Sequence, residues 1–154
     1  MIQINIPGYE TIEIKHLVTD VNGTIAVAGM LTHGVRERFN RLHEMVDIHM
    51  LTADTHGRQA EIDRLLNMKA KIITAGATEK ASVVWELGKE NVIAIGNGAN
   101  DVLMCQEAAL SIGVLGEEGI ASALLPVVDV VVRDINHGLD MLLFPDRLKA
   151  TLRK

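Results

Sequence analysis

The sequence predicts an α/β fold: a parallel sheet with helices on both sides, preceded by a β-hairpin. Three observations carry this. Short apolar runs alternate with helix-length amphipathic stretches, the arrangement of right-handed βαβ units. The runs themselves, such as VIAIG and VDVVV, are nearly continuous in β-branched residues, as strands buried on both faces require. Apolar residues make up 48% of the chain and aromatics only 3%, so the core must be built from Val, Ile, Leu, Ala and Met.

The elements follow in order. Ile2, Ile4 and Ile6 alternate with polar residues, Pro7-Gly8 breaks the run, and Ile12 and Ile14 resume it. That pattern predicts a hairpin whose second arm continues as one long strand into LVTD. Further strands are expected at VDIHML, KIIT, NVIAIG, ALSIGV and VDVVV. Helices are expected at HGVRERFNRLHEM, THGRQAEIDRLL, TEKASVVWELGK and ANDVLMCQEAAL. The last segment, LDMLLFPDRLKATLRK, joins an apolar cluster to a basic end; it reads equally as a layer on the fold or as a subunit contact.

Length and charge bound the function. A chain of 154 residues suits a single domain, residues 1–154. A net charge of -5 offers no broad electrostatic footprint for nucleic acid. The single cysteine, Cys105, excludes an internal disulfide and a cysteine-rich zinc site. No apolar run approaches the ~18 residues of a membrane span, and the N-terminus lacks a basic region followed by an apolar one. A cytoplasmic, soluble protein without a membrane partner is expected.

In open parallel sheets ligands sit beyond the carboxyl ends of the strands, which singles out Asp20, Thr52, Thr74 and Asn97. Asp20 ends an apolar run and is followed by Asn22-Gly23-Thr24. A carboxylate there is at the rim of the sheet and able to attack phosphorus, while Gly23 permits a sharp turn whose amides face an anion. Taken alone, Asn22-Gly23 is equally a hairpin turn. Thr52, with Asp54 close behind, is either a hydroxyl donor to a phosphoryl oxygen or the cap of the next helix. Lys80 stands early in a helix, where a cation is disfavoured unless it points at an anion. GNGAND, from Gly96, offers oxygen ligands to a hard cation, or a helix cap at Asn100 or Asp101. Other features have plainer readings: Met45, Met50, Met68, Met104, Met141 and Cys105 as packing residues, and Trp85 as the anchor of a helix face.

Carboxylate, threonine, lysine and a Gly/Asn/Asp loop, in that order at successive strand ends, resemble the haloacid dehalogenase superfamily. The resemblance spans Lys15 to Val132. Within it the likeness is to the phosphorylation domain of P-type ATPases: DVNGT is similar to D-K-T-G-T, LTAD to T-G-D, and the segment from Thr78 to GNGAND to the lysine helix followed by G-D-G-x-N-D. The resemblance implies a three-layer Rossmann-like core and a phosphohydrolase or phosphotransferase that forms an aspartyl-phosphate. Asp20 would be the nucleophile, Thr52 a phosphoryl donor, Lys80 the balancing cation and Asn22 the residue at the acid/base position. Gly23, Thr24, Ala53 and Asn100 would contact the substrate. Mg²⁺ would be held by Asp20, the Asn22 carbonyl and Asn97, with Asp101 nearby.

Two positions depart from the family. Asn22 stands where its phosphatases carry the acid/base Asp, so hydrolysis should be slow. Asn97 stands where a metal-binding Asp is usual, so the site loses a negative charge. His33 or His56 could carry protons instead, although either is ordinary as surface polarity. The gaps from Asp20 to Leu51 and from Thr52 to Lys80 are too short for a cap domain, leaving only the flap AVAGMLTHG over an open site. An open site suits a phosphorylated small molecule, a macromolecule, or self-association into a homo-oligomer. The competing expectation is a binding or regulatory protein in which the chemistry has lapsed.

Overall fold

The computed structural model describes residues 1–154. Six parallel strands form the central sheet: β3 (His16–Asp20), β6 (Asp47–Thr52), β7 (Lys71–Ile72), β8 (Val92–Gly96), β9 (Leu110–Val114) and β10 (Val130–Val132). Their order across the sheet is β10-β9-β8-β3-β6-β7, which puts β3 at the centre with β6 and β8 on either side. Because chain order doubles back at β3, the crevice at its carboxyl end is the place where such sheets bind ligands.

Side chains alternate across the strands and so build two cores. Leu17, Met50, Ile93, Ile95 and Ile112 face one side, under α1 (Val35–Leu42), α2 (Gln59–Leu66), α5 (Ile135–Leu143) and α6 (Pro145–Leu152). Val18, Leu51, Val92 and Ala94 face the other, under α3 (Ala77–Glu86) and α4 (Val102–Glu107). Helix, sheet and helix are the three layers expected. The C-terminal segment resolves into two helices on the fold: α5 packs on α1, and α6 on the N-terminal β1 (Ile2–Ile4). Arg38 on α1 ties the first of these together, donating to both oxygens of Asp140 at 2.7 and 3.1 Å.

Three expectations are corrected. The N-terminal hairpin pairs β1 with β2 (Ile12–Ile14) as a separate small sheet, and the chain breaks at Lys15 before β3 begins. The break has a cause: the Lys15 N–H donates to the Asn91 carbonyl and its own carbonyl accepts from Asp47, so its backbone serves the central strands' neighbours. β7 ends at Ile72, so Thr74 is not a strand terminus; its N–H instead donates to Glu79. Trp85 is 56% exposed and anchors no core, its indole N–H donating to Glu107 on α4.

Candidate active site

Asp20 is the last residue of the central strand, with buried neighbours on both faces and only 6% of its own surface exposed. The chain then reverses tightly. The N–H groups of Thr24, Ile25 and Ala26 all donate to the Val21 carbonyl, and that of Gly23 to the Ala26 carbonyl. Gly23 has φ +78°, and a Cβ there would lie 2.4 Å from Asn97 Nδ2, so no other residue fits the turn unstrained. The amides of Gly23 and Thr24 are therefore consumed by the turn and do not face an anion. The N–H groups of Asn22 and Ala53, by contrast, donate no hydrogen bond within the chain.

The Asn-Gly hairpin reading is also resolved. A hairpin does follow Asp20, pairing β4 (Ala26–Val27) with β5 (Met30–Leu31), but its turn is Ala28-Gly29. This is the flap over the site.

Lys80 reaches Asp20 from α3. Its ammonium is fully buried and donates to Asp20 Oδ1 and Asp101 Oδ1, both at 2.7 Å. The second oxygen of Asp101 accepts the N–H groups of Asn97 and Gly98 at 3.0 Å each, so the 96–101 loop is folded around this carboxylate. Asn97 then joins the two sides of the site: its Oδ1 accepts from the Thr24 hydroxyl at 3.0 Å, and its Nδ2 donates to the Gly119 carbonyl at 3.2 Å. Thr24 also stands 3.5 Å from Asp20 Oδ2. Asn22 Nδ2 donates to Thr52 Oγ1 at 3.3 Å, and the Asp54 N–H donates to the same oxygen at 2.9 Å.

The structure thus gathers Asp20, Asn22, Thr24, Thr52, Lys80, Asn97 and Asp101, with Ala53 beside Thr52. Asn100 is exposed and makes no hydrogen bond to the others. His33 is exposed on the flap's far end, and His56 lies against the flap turn. Sequence reasoning missed the Glu118-Gly119 segment, which meets the site from the loop after β9; nothing in its local pattern signals a partner so distant in the chain.

No family model matches the chain. Among solved structures, the cobalt-bound deoxy-D-mannose-octulosonate 8-phosphate phosphatase of Haemophilus influenzae superposes with a TM-score of 0.71 at 15% identity, over 92% of this chain and 94% of that one. The fold of this chain is haloacid dehalogenase-like. In sequence, the uncharacterized protein MJ0073 of Methanocaldococcus jannaschii is 50% identical over 78 residues, 48% of this chain and 84% of that protein, so the two belong to one family. A soluble P-type ATPase-like phosphatase of the same organism is 27% identical over 127 residues, 79% of this chain. This chain spans 46% of the length of that phosphatase.

The electrostatics of the site centre on one cation between two carboxylates. Burial pushes the Asp20 carboxyl up and the Asp101 charge adds to it; Lys80 opposes both, leaving Asp20 at about 7. Burial works against the Lys80 ammonium too, but Asp101 and Asp20 outweigh it and hold the lysine above its ordinary range. Burial also pushes the Cys105 thiol up, so it is an inert packing residue.

The oxygens around Asp20 are the candidates to hold a hard cation. Asp20 Oδ2 has only the long Thr24 contact, the Asn22 carbonyl accepts no hydrogen bond, and Asn97 Oδ1 is within reach of the same hydroxyl as Asp20 Oδ2. Carboxylate, carbonyl and amide oxygens are the ligand types that suit Mg²⁺, here with a single formal charge among them. Asp101 does not add to the set, since Lys80 and two backbone amides already hold both its oxygens.

Proposed function

We propose that the chain is a capless, Mg²⁺-dependent phosphohydrolase, or phosphotransferase, working through an aspartyl-phosphate on Asp20. The observation that carries this reading is the 2.7 Å contact from the buried Lys80 ammonium to Asp20 Oδ1, while Oδ2 has the Thr24 hydroxyl at 3.5 Å. A carboxylate so placed is a nucleophile with its charge balanced from behind.

In the reaction Asp20 Oδ2 attacks the phosphorus, the bond from phosphorus to the leaving oxygen breaks, and that oxygen departs with the electron pair. Thr52 Oγ1 already accepts two hydrogen bonds, so its own proton is free for a phosphoryl oxygen. Asp20, the Asn22 carbonyl and Asn97 would hold Mg²⁺, which when bound supplies positive charge to the phosphoryl oxygens. Asn22 can neither protonate the leaving group nor deprotonate the water that cleaves the aspartyl-phosphate. Loss of such help is typically worth ~10²–10⁴-fold, so turnover is slow and favours leaving groups that depart without a proton. The protein acts on a phosphorylated substrate in the cytoplasm.

The test is a pre-steady-state trace of aryl release from an activated aryl phosphate with Mg²⁺, beside Asp20→Asn. The reading expects a burst stoichiometric with enzyme, absent from the variant. Release no faster than in the variant would replace it with the regulatory alternative.

A further inference from the structure

Above the site, three loops meet at one carboxylate. The N–H of Ala28, at the tip of the flap, donates to Glu118 Oε2 at 3.2 Å, and His56 Nε2 lies 4.0 Å from Glu118 Oε1. The flap turn is built from two successive left-handed residues, Ala28 at φ +49° and Gly29 at φ +78°. For alanine that conformation is unfavourable. The hairpin pairs Val27 with Met30, which leaves the Ala28 N–H directed out of it. Gly29 is pressed against the next loop, since a Cβ there would lie 2.9 Å from Arg58 Cδ and 3.0 Å from His56 Cβ. The Arg58 head is otherwise held only by Glu61, at 3.6 Å on its own helix.

Each of the three loops is tied to a residue of the site. Ala28 stands two residues beyond Ala26, which is bridged to Asn22. That is about 7 Å of extended chain. His56 follows Asp54, whose N–H is bonded to Thr52. Glu118 precedes Gly119, whose carbonyl is bonded by Asn97.

We propose that the Ala28 N–H, with His56 and Arg58, is a second anion subsite that takes a carboxylate on the substrate's leaving group, and that Glu118 fills it in the ligand-free chain. The inference rests on the proposed phosphoryl-transfer reading of Asp20. A carboxylate fits because the group already there is one: its Oε2 accepts from the Ala28 N–H, and its Oε1 lies 4.0 Å from His56 Nε2. The substrate class is then a compact phosphorylated carboxylic acid, and the flap discriminates by exchanging Glu118 for the substrate's own carboxylate. Glu118 is a positioning residue, competing with the substrate and touching no reacting atom.

The experiment compares 4-(carboxymethyl)phenyl phosphate with 4-ethylphenyl phosphate, whose methylene links keep the two leaving groups similar in acidity. The quantity read is the ratio of their kcat/KM values. Glu118→Gln should raise the preference for the carboxylate at least about fivefold, and His56→Ala and Arg58→Ala should lower it. In parallel, the Ala28 amide resonance is followed by NMR while the two corresponding phosphonates are added. It should shift and saturate with the carboxymethyl compound alone, at lower concentration in Glu118→Gln. A ratio that Glu118→Gln leaves unchanged, or an Ala28 resonance that answers both compounds alike or neither, overturns the subsite. Saturable Ala28 shifts without any Asp20-dependent hydrolysis would instead overturn the catalytic reading and uphold the subsite.

Discussion

The side-chain amide of Asn22 donates to the Thr52 hydroxyl oxygen across 3.3 Å, a bond that an ionised carboxylate at the same position could not make. The amide therefore turns the threonine proton outward, while depriving the site of a proton donor. Replacing Asn22 by Asp reverses both effects: Thr52 would donate to the new carboxylate, and the leaving group would gain an acid. Asn22→Asp should raise steady-state hydrolysis of an aryl phosphate by about 10²-fold or more and abolish the burst. Steady-state rates of the two proteins agreeing within twofold would show that the amide is not what limits turnover.

Lys80 is the only cation between Asp20 and Asp101, and all three side chains are buried. Taking away the ammonium leaves two carboxylates facing a low-dielectric interior. Removing one partner of such a buried pair typically costs about 3–5 kcal/mol, since the remaining charge is unpaired. Lys80→Met, which keeps most of the packing volume, should lower stability by that order in urea unfolding at pH 8. Adding Asp101→Asn to the Met variant should recover part of the loss, and failure to recover any would show that packing, not charge, is responsible.

Much of this was legible in the sequence because it depends on local pattern. Strands β3, β8 and β9 are buried on both faces, so each announces itself as an apolar run. Asp20, Thr52 and Lys80 are legible because each follows such a run or enters the next helix. What escaped depends on contacts distant in the chain. The break at Lys15 is made by Asn91 and Asp47, the exposure of Trp85 is compensated by Glu107 on another helix, and the Gly23 amide is claimed by the Ala26 carbonyl. Glu118 belongs to the same class, since its meaning lies in the Ala28 N–H ninety residues earlier.

Gly23 joins backbone conformation to the proposed metal site. At φ +78° an alanine is strained, and its Cβ would drive into Asn97 Nδ2. Gly23→Ala should cost more than about 1 kcal/mol of stability. Displacing Asn97 should also weaken Mg²⁺ on the order of tenfold, the usual effect of disturbing what orients a metal ligand. Calorimetric titration of Mg²⁺ checks the second effect independently of turnover, and an unchanged affinity would remove Asn97 from the metal site.

The pH dependence of stability follows from Asp20. Its carboxyl titrates near 7 in the folded chain, chiefly because it is buried, whereas an unfolded Asp titrates near 3.9. Between those values the folded state holds a proton that the unfolded state has released, so stability falls as pH rises from about 4 to about 7 and then levels off. Asp140 acts in the opposite sense and a different window: the Arg38 hydrogen bonds hold its carboxyl below the ordinary range, so its contribution is lost only as the solution becomes more acidic than that. Asp20→Asn removes the first effect and leaves the second. With chelator present, the urea midpoint of the native chain should therefore decline relative to Asp20→Asn between pH 5 and pH 7.5, and the variant should be the more stable at the upper end. Midpoints that run parallel over that interval would mean that Asp20 is already ionised at pH 5, and that Lys80 outweighs burial at the nucleophile.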